Sequence, residues 1–91
     1  MAFEWDPAKV QANRRNHRVA FPDAVGVFED SAAATHPDPH PDEERFVTLG
    51  TDFLGRTVVV CWTWRRDDIR LISARLATLR ERRQYQEGSD A

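Results

Sequence analysis

The 91-residue sequence holds a single cysteine, no apolar run near the roughly 20 residues that cross a bilayer, and no net positive charge. Each shortage excludes something. One thiol, Cys61 within Val58-Val59-Val60-Cys61-Trp62, cannot build a disulfide framework or a cysteine zinc site inside one chain. Its apolar neighbours mark it as a small buried hydrophobe, with no helix N-terminus or basic neighbour to activate it. The opening Met1-Ala2-Phe3-Glu4 is no signal peptide, so the expected compartment is the cytoplasm, away from membranes. No helix-turn-helix or ribbon-helix-helix pattern occurs, which argues against direct DNA binding. Nor is there a repeat.

What is present suits one small soluble domain, with 41% hydrophobic and 31% charged residues. A chain of this length buries roughly 60–70% of its unfolded surface and has room for one core. The domain is expected over residues 1–87, with 88–91 a frayed tail. The net charge of −2 hides an asymmetry. Residues 1–44 carry four bases against nine acids, and residues 45–91 carry nine arginines against six acids. Guanidinium groups grip phosphate or carboxylate through paired hydrogen bonds, so a basic second half points to an anionic partner.

Asp6-Pro7 predicts a helix start, running to about Arg18, because Asp caps well and proline at the first helical position loses only a donor that would be unpaired anyway. Phe21, Ala24, Val25 and Phe28 recur at three and four residues, which predicts a second helix from Pro22 or Asp23 to Glu29. Three alternating prolines make 31–42 a loop after a possible short edge strand at Ala32–Thr35. Strands follow at Arg45–Gly50, Thr57–Trp64 and Ile69–Ala74, with turns at Asp52–Gly55 and Arg65–Asp68 short enough for an antiparallel meander. The result is an α+β domain: two N-terminal helices packed on an antiparallel sheet of three to four strands, with a C-terminal helix.

The last segment concentrates the candidate chemistry. Arg75 is expected at the junction of the final strand and the final helix, a rigid place for a phosphate-gripping group. Counting 100° per residue puts Leu76, Leu79, Arg80 and Arg83 within about a 100° sector, with Arg82 to one side. These arginines either snorkel past the core edge, complement the helix dipole or line a concave site. Glu44 beside Arg45 is an ion pair or a proton acceptor next to an anion clamp. His17 at the end of the first helix is a dipole partner or a general base. His36 and His40 lie four apart, but the intervening prolines abolish helical spacing and no third ligand clusters with them, so no metal is expected. Trp62 and Trp64 share a strand face, and Trp64 next to Arg65-Arg66 is placed to stack on a base.

Three stretches carry a resemblance. Phe3-Glu4-Trp5-Asp6-Pro7-x-Lys9 with Asn13, His17, Val19 and Phe21, then Glu44-Arg45-Phe46-Val47-x-Leu49-Gly50, then Ile69-Arg70-Leu71-Ile72-Ser73-Ala74-Arg75-x-Ala77-Thr78-x-x-Glu81-Arg82-x-x-Tyr85 resemble the BrnT family of bacterial type II toxins, in order and over nearly the whole chain. The resemblance implies a RelE-like fold and a ribonuclease that needs no metal or other cofactor and arrests translation. It also implies a BrnA-type antitoxin with a ribbon-helix-helix DNA-binding domain, a hetero-oligomer that represses its own operon, and contact with operator DNA only through that antitoxin. The family usually reads Lys-His-Gly where this chain has Asn16-His17-Arg18, so the basic group absent at position 16 is present at position 18.

Within that reading Arg75, Arg80 and Arg83 hold and stabilise the phosphate and His17 or Glu44 acts as base. Arg45, Trp64, Arg82 and Tyr85 contact the RNA. The alternative is a catalytically inert antitoxin-binding subunit of a repressor complex, in which the same arginines only dock an acidic partner.

Overall fold

Asp6 and Pro7 begin the first helix as their chemistry predicts: the Asp6 carboxylate accepts the Ala8 amide at 2.9 Å, and helix α1 runs Pro7–His17. Arg18 ends it in the left-handed region at φ 58°, its amide returning to the Arg14 carbonyl at 2.9 Å. The computed structural model describes residues 2–90, the side chains of 89 and 90 excepted. A single α turn, α2 (Phe21–Ala24), then tightens into a 3₁₀ helix over Val25–Glu29. The continuous second helix expected there is broken by a close approach. A Cβ on Gly26 would lie 2.5 Å from the Phe53 amide nitrogen, and that amide donates to the Asp23 carbonyl at 3.0 Å.

Five strands follow the order β1-β5-β4-β3-β2, where β1 is Phe3–Glu4, β2 Ala34–Asp38, β3 Arg45–Thr51, β4 Thr57–Arg65 and β5 Asp68–Leu76. The sheet is mixed. β1 lies parallel to β5, pairing Phe3 with Ile69 and Glu4 with Arg70, while every other neighbour is antiparallel. The expected antiparallel sheet of three to four strands is therefore corrected to a mixed one of five. β1 is too short for alternation to reveal it, and is held by the Ala2 carbonyl accepting from Ile69 and by a Glu4–Arg70 ion pair at 3.3 Å. β2 begins later than expected and includes Pro37, which is tolerated because this strand is the sheet's outer edge. Gly55, at φ 79°, completes the β3–β4 turn in a conformation that suits glycine.

The core lies on one face of the sheet. Val19, Phe21, Ala24 and Val27 pack on Val58, Val60, Trp62, Leu71 and Ala74. Trp62 meets Phe28 edge-on and stacks on Phe46, at centroid distances of 5.4 and 4.8 Å. Its indole N–H is satisfied by Thr48 Oγ1 at 2.8 Å, which in turn shares a hydrogen bond with Thr35. A bulge in β5 keeps the apolar residues on this face: Ser73 pairs with Cys61 and Leu71 with Trp62, leaving Ile72 as the extra residue.

Asn13, the one buried residue of α1, locks the helix to β5. Its carboxamide nitrogen donates to the carbonyls of Ala74 and Val19 at 2.8 and 2.9 Å, and its oxygen accepts the Ala74 amide at 3.1 Å. One side chain thus supplies β5 with the donor and acceptor a neighbouring strand would have offered.

The C-terminal helix, α3, spans Leu79–Asp90. It starts four residues after the expected junction, because β5 stays paired with β4 through Leu76, opposite Val58. Arg75 and Leu76 are strand residues, and the helical face drawn through Leu76 does not form. The tail expected over 88–91 falls partly outside the described residues, the backbone helix being described to residue 90.

Asn13→Ala strands three buried backbone groups, each worth about 1–3 kcal/mol when unsatisfied. The expected loss of stability is about 3 kcal/mol by urea unfolding. Asn13→Asp, which can accept but not donate, is expected to fall short of wild type as well.

Candidate functional site

Thr78-Leu79-Arg80-Glu81 is a capping box. The Thr78 hydroxyl accepts the Glu81 amide at 3.2 Å, and the Glu81 carboxylate accepts the Thr78 amide at 2.8 Å. Arg75 reaches across from β5 and grips the same carboxylate with both terminal nitrogens, Nη1 to Oε1 at 2.7 Å and Nη2 to Oε2 at 2.9 Å. The bidentate bond from Arg75 is the main reason the Glu81 pKa falls to about 2, and the Thr78 amide adds to it. A carboxylate that acidic is a poor proton acceptor near neutrality. The pair is structural in its first effect: Arg75 ties the start of α3 to the sheet, with its guanidinium already half committed.

One turn further on, the Tyr85 hydroxyl donates to Asp30 Oδ2 at 2.6 Å and receives the Thr51 hydroxyl at 3.0 Å. The Thr51 amide also donates to Asp30 Oδ2, at 2.9 Å, and the Ala32 amide to Oδ1. Burial alone would raise the Asp30 pKa, but the hydrogen bonds from Tyr85, Thr51 and Ala32 outweigh it and leave the pKa lowered. The same bond from Tyr85 to Asp30 raises the tyrosine pKa. Glu81 and Tyr85, four apart, form the inward stripe of α3 and fasten it to β5 at one point and to β3 and Asp30 at the other.

With that stripe fixed, the remaining cations must point away from it. Arg80, Arg82 and Arg83 are exposed, and no described carboxylate forms an ion pair with any of them. Arg82 and Gln86 line a groove of about 550 Å³ whose other walls are Gly55, Arg56, Thr57, Leu76 and Ala77. Arg56 is held from behind by the fully buried Asp52 carboxylate at 2.8 Å and donates to the Arg18 carbonyl at 3.1 Å. That bond links the groove wall to the end of α1, where Arg14, Arg15 and Arg18 are likewise exposed without an acidic partner among the described residues. His17 occupies a shallow pocket of about 210 Å³ with Lys9, Asn16 and the bulged Ile72.

The other expected site residues lie elsewhere. Arg45 is paired at 2.6 Å with Glu43, not with Glu44. Glu44 is exposed and its carbonyl accepts the Thr63 hydroxyl. Both line a hollow of about 250 Å³ against Pro37, Pro39 and His40. Cys61 is half-buried, its Sγ 3.8 Å from Asp38 Oδ2; burial first, then that carboxylate, pushes its pKa up. Trp64 packs edge-on against Trp62 at 5.3 Å and is 43% exposed. It sits at the far end of β4, about 23 Å from Thr57 at the usual strand rise. The structure therefore gathers His17, Arg18, Arg56 and the α3 arginines at one end of the sheet, and leaves Glu44, Arg45 and Trp64 towards the other. Arg56, Asp30, Thr51 and Asp52 escaped the sequence reading. Among the described residues no group of three or more His, Cys, Asp or Glu is arranged to hold a metal, and no helix is long and apolar enough to span a membrane.

Residues 5–81 match the profile of a family described as the ribonuclease toxin, BrnT, of type II toxin–antitoxin systems. No curated protein matches the chain in sequence. Among solved structures, the Brucella abortus ribonuclease toxin BrnT superposes with a TM-score of 0.64 over 86% of this chain and 97% of its own, at 21% identity. That likeness extends the agreement to the fold.

The Glu81 pKa sets a pH dependence. A carboxyl lowered from 4.5 to about 2 contributes stability that is whole above pH 4.5 and is withdrawn as pH falls towards 2. Glu81→Gln is expected to lose about 1–2 kcal/mol at pH 7, a figure discounted for the solvent around Arg75. The gap to wild type should close across that acid window in denaturant melts.

Proposed function

Because the chain belongs to the BrnT family of ribonuclease toxins of type II toxin–antitoxin systems, we propose that it cleaves RNA at the end of the sheet that carries Arg56 and the start of α3. The observation that carries this reading is the trio Arg80, Arg82 and Arg83, without acidic partners among the described residues, on a helix fastened at two points. Guanidinium groups carried on a fastened helix and free of an ion pair are available to grip a phosphodiester through paired hydrogen bonds.

The reaction needs a base for the 2′-hydroxyl proton, positive charge for the phosphorane formed when that oxygen attacks phosphorus, and release of the 5′-oxygen as the P–O5′ bond breaks. The α3 arginines supply the charge. Arg75 is foremost a positioning residue, its remaining N–H donors available to the phosphate. His17 is the proposed base, supported by its place beside Arg18, whose carbonyl is bonded to the groove-lining Arg56. Glu44, Arg45 and Trp64 are too far along the sheet to touch the same nucleotide, and are proposed to contact flanking RNA. Tyr85 is engaged in fixing α3. The proton His17 takes from the 2′-hydroxyl is returned to the departing 5′-oxygen, so the proposed steps are met by side chains alone.

The family implies an antitoxin. We propose one of BrnA type, with a ribbon-helix-helix domain, that masks the toxin in a cytoplasmic hetero-oligomer, contacts operator DNA on its behalf and represses the shared operon.

Purified chain incubated with RNA is expected to cut it equally well with and without EDTA. Arg82→Ala and Arg83→Ala should each lower the rate by about 100-fold, the scale of removing one charge-stabilising donor. His17→Ala should cost roughly 100-fold. Full activity in the Arg80, Arg82, Arg83 triple alanine variant would refute the assignment. A wild-type chain that cuts no RNA would leave an inert antitoxin-binding subunit.

A further inference from the structure

Four of the five large hydrophobic side chains exposed among the described residues belong to one neighbourhood. Phe53 and Leu54 are on the β3–β4 turn, and Leu76 and Leu79 flank the junction of β5 and α3. The groove of about 550 Å³ runs between these two elements, with Gly55 beside Leu54 on one wall and Leu76 and Ala77 on the other. Leu79 stands three and seven residues before Arg82 and Gln86, so it shares their side of the helix and extends the groove along α3. A cluster of exposed aliphatic groups framing a concave surface marks an interaction site.

Charge narrows the occupant. Arg82 projects into the groove with no described acidic partner, and Arg56 turns its outer edge there while its own acid, Asp52, is buried behind it. Arg18, whose carbonyl receives Arg56, adds a further exposed cation beside this surface. Leu54, Leu76 and Leu79 offer no flat ring on which a base could stack, so RNA would leave the apolar half of this surface unused. A peptide helix with apolar residues at three- and four-residue spacing and carboxylates alongside would use both halves.

We infer that this groove is the docking site for an acidic amphipathic segment of the antitoxin, its apolar face on Leu54, Leu76 and Leu79 and its carboxylates on Arg56 and Arg82. The inference rests on the family's antitoxin and not on the ribonuclease chemistry. Docking there covers Arg82 and crowds the end of α1, so the segment that binds the toxin also withdraws the cations proposed to hold RNA. Inhibition then needs no conformational change.

The test pairs the full chain with the antitoxin encoded beside it. Leu54→Glu and Leu79→Glu place a carboxylate where the partner's acids would lie. Both positions are more than half exposed, and glutamate in the first turn of α3 suits the helix dipole, so folding is retained and can be verified by circular dichroism. Each variant is expected to weaken the complex by roughly 30-fold in calorimetry, the size of an interface hot spot. Leu54→Glu, which adds no charge to α3, should cut RNA at the wild-type rate, so that growth arrest is no longer relieved by the antitoxin. Unchanged affinity in both variants would overturn the inference. So would loss of RNA cleavage with the complex intact, which would make RNA the occupant. A third contrary result is loss of self-association instead of antitoxin binding, which would make the occupant a second copy. Trp64→Ser, which alters the fifth exposed hydrophobic at the opposite end of β4, should leave the complex unaffected. If a chain inactive on RNA still shows the leucine effect, the docking inference stands and only the ribonuclease reading falls.

Discussion

Arg75 and Glu81 hold the last helix on the molecule. An isolated surface ion pair contributes under about 1 kcal/mol, but this one is not isolated. Glu81 also completes the box that caps α3, so a single carboxylate satisfies a helix N-terminus and binds a guanidinium rooted in β5. Take it away and α3 depends on the Tyr85–Asp30–Thr51 attachment one turn later. The directions taken by Arg80, Arg82 and Arg83 depend on this pair, since they are what remains once Glu81 and Tyr85 face inward. Charge balance follows the same division. Three of the four sheet arginines, Arg45, Arg70 and Arg75, have a carboxylate from their own chain, the exception being Arg65 at the end of β4, whereas the helix arginines have none among the described residues.

The long elements were legible in the amino-acid pattern. Asp6-Pro7 announced α1, and the dense β-branched run of β4 marked a central strand, because those signals are local and need no partner. The misread elements depend on contacts distant in sequence. β1 is two residues long and is a strand only because Ile69 and Arg70 lie alongside it. The proline stretch looked like a loop, yet Ala34–Asp38 pairs with β3 because an outer edge forgives a missing donor. The helix expected from Pro22 or Asp23 tightens at Gly26 for want of space beside the 52–53 backbone. The β5–α3 boundary moved because Val58 and Val59 keep Leu76 and Arg75 in the ladder.

For the site, the arginine content of the last segment was readable, but not its division of labour. Helical counting from Arg75 put Leu76, a strand residue, on one face with Leu79, Arg80 and Arg83, and the junction reading of Arg75 did not foresee that Glu81 would hold its guanidinium. The Thr78-x-x-Glu81 spacing was the available clue, since a capping box fixes both the helix start and the fate of that glutamate. Arg56 gave no such clue: nothing local to the turn reveals that Asp52 will be buried behind it or that the Arg18 carbonyl will receive it.

The carboxamide of Asn13 has a consequence beyond tying α1 to the sheet. A strand with free backbone groups is a template on which further chains can assemble, and a mixed sheet of five has two such margins. On one, two residues of β1 and the Asn13 side chain occupy the positions a foreign strand would need; on the other, Pro37 interrupts the row of donors. Both flanks are thus guarded against amyloid-like growth.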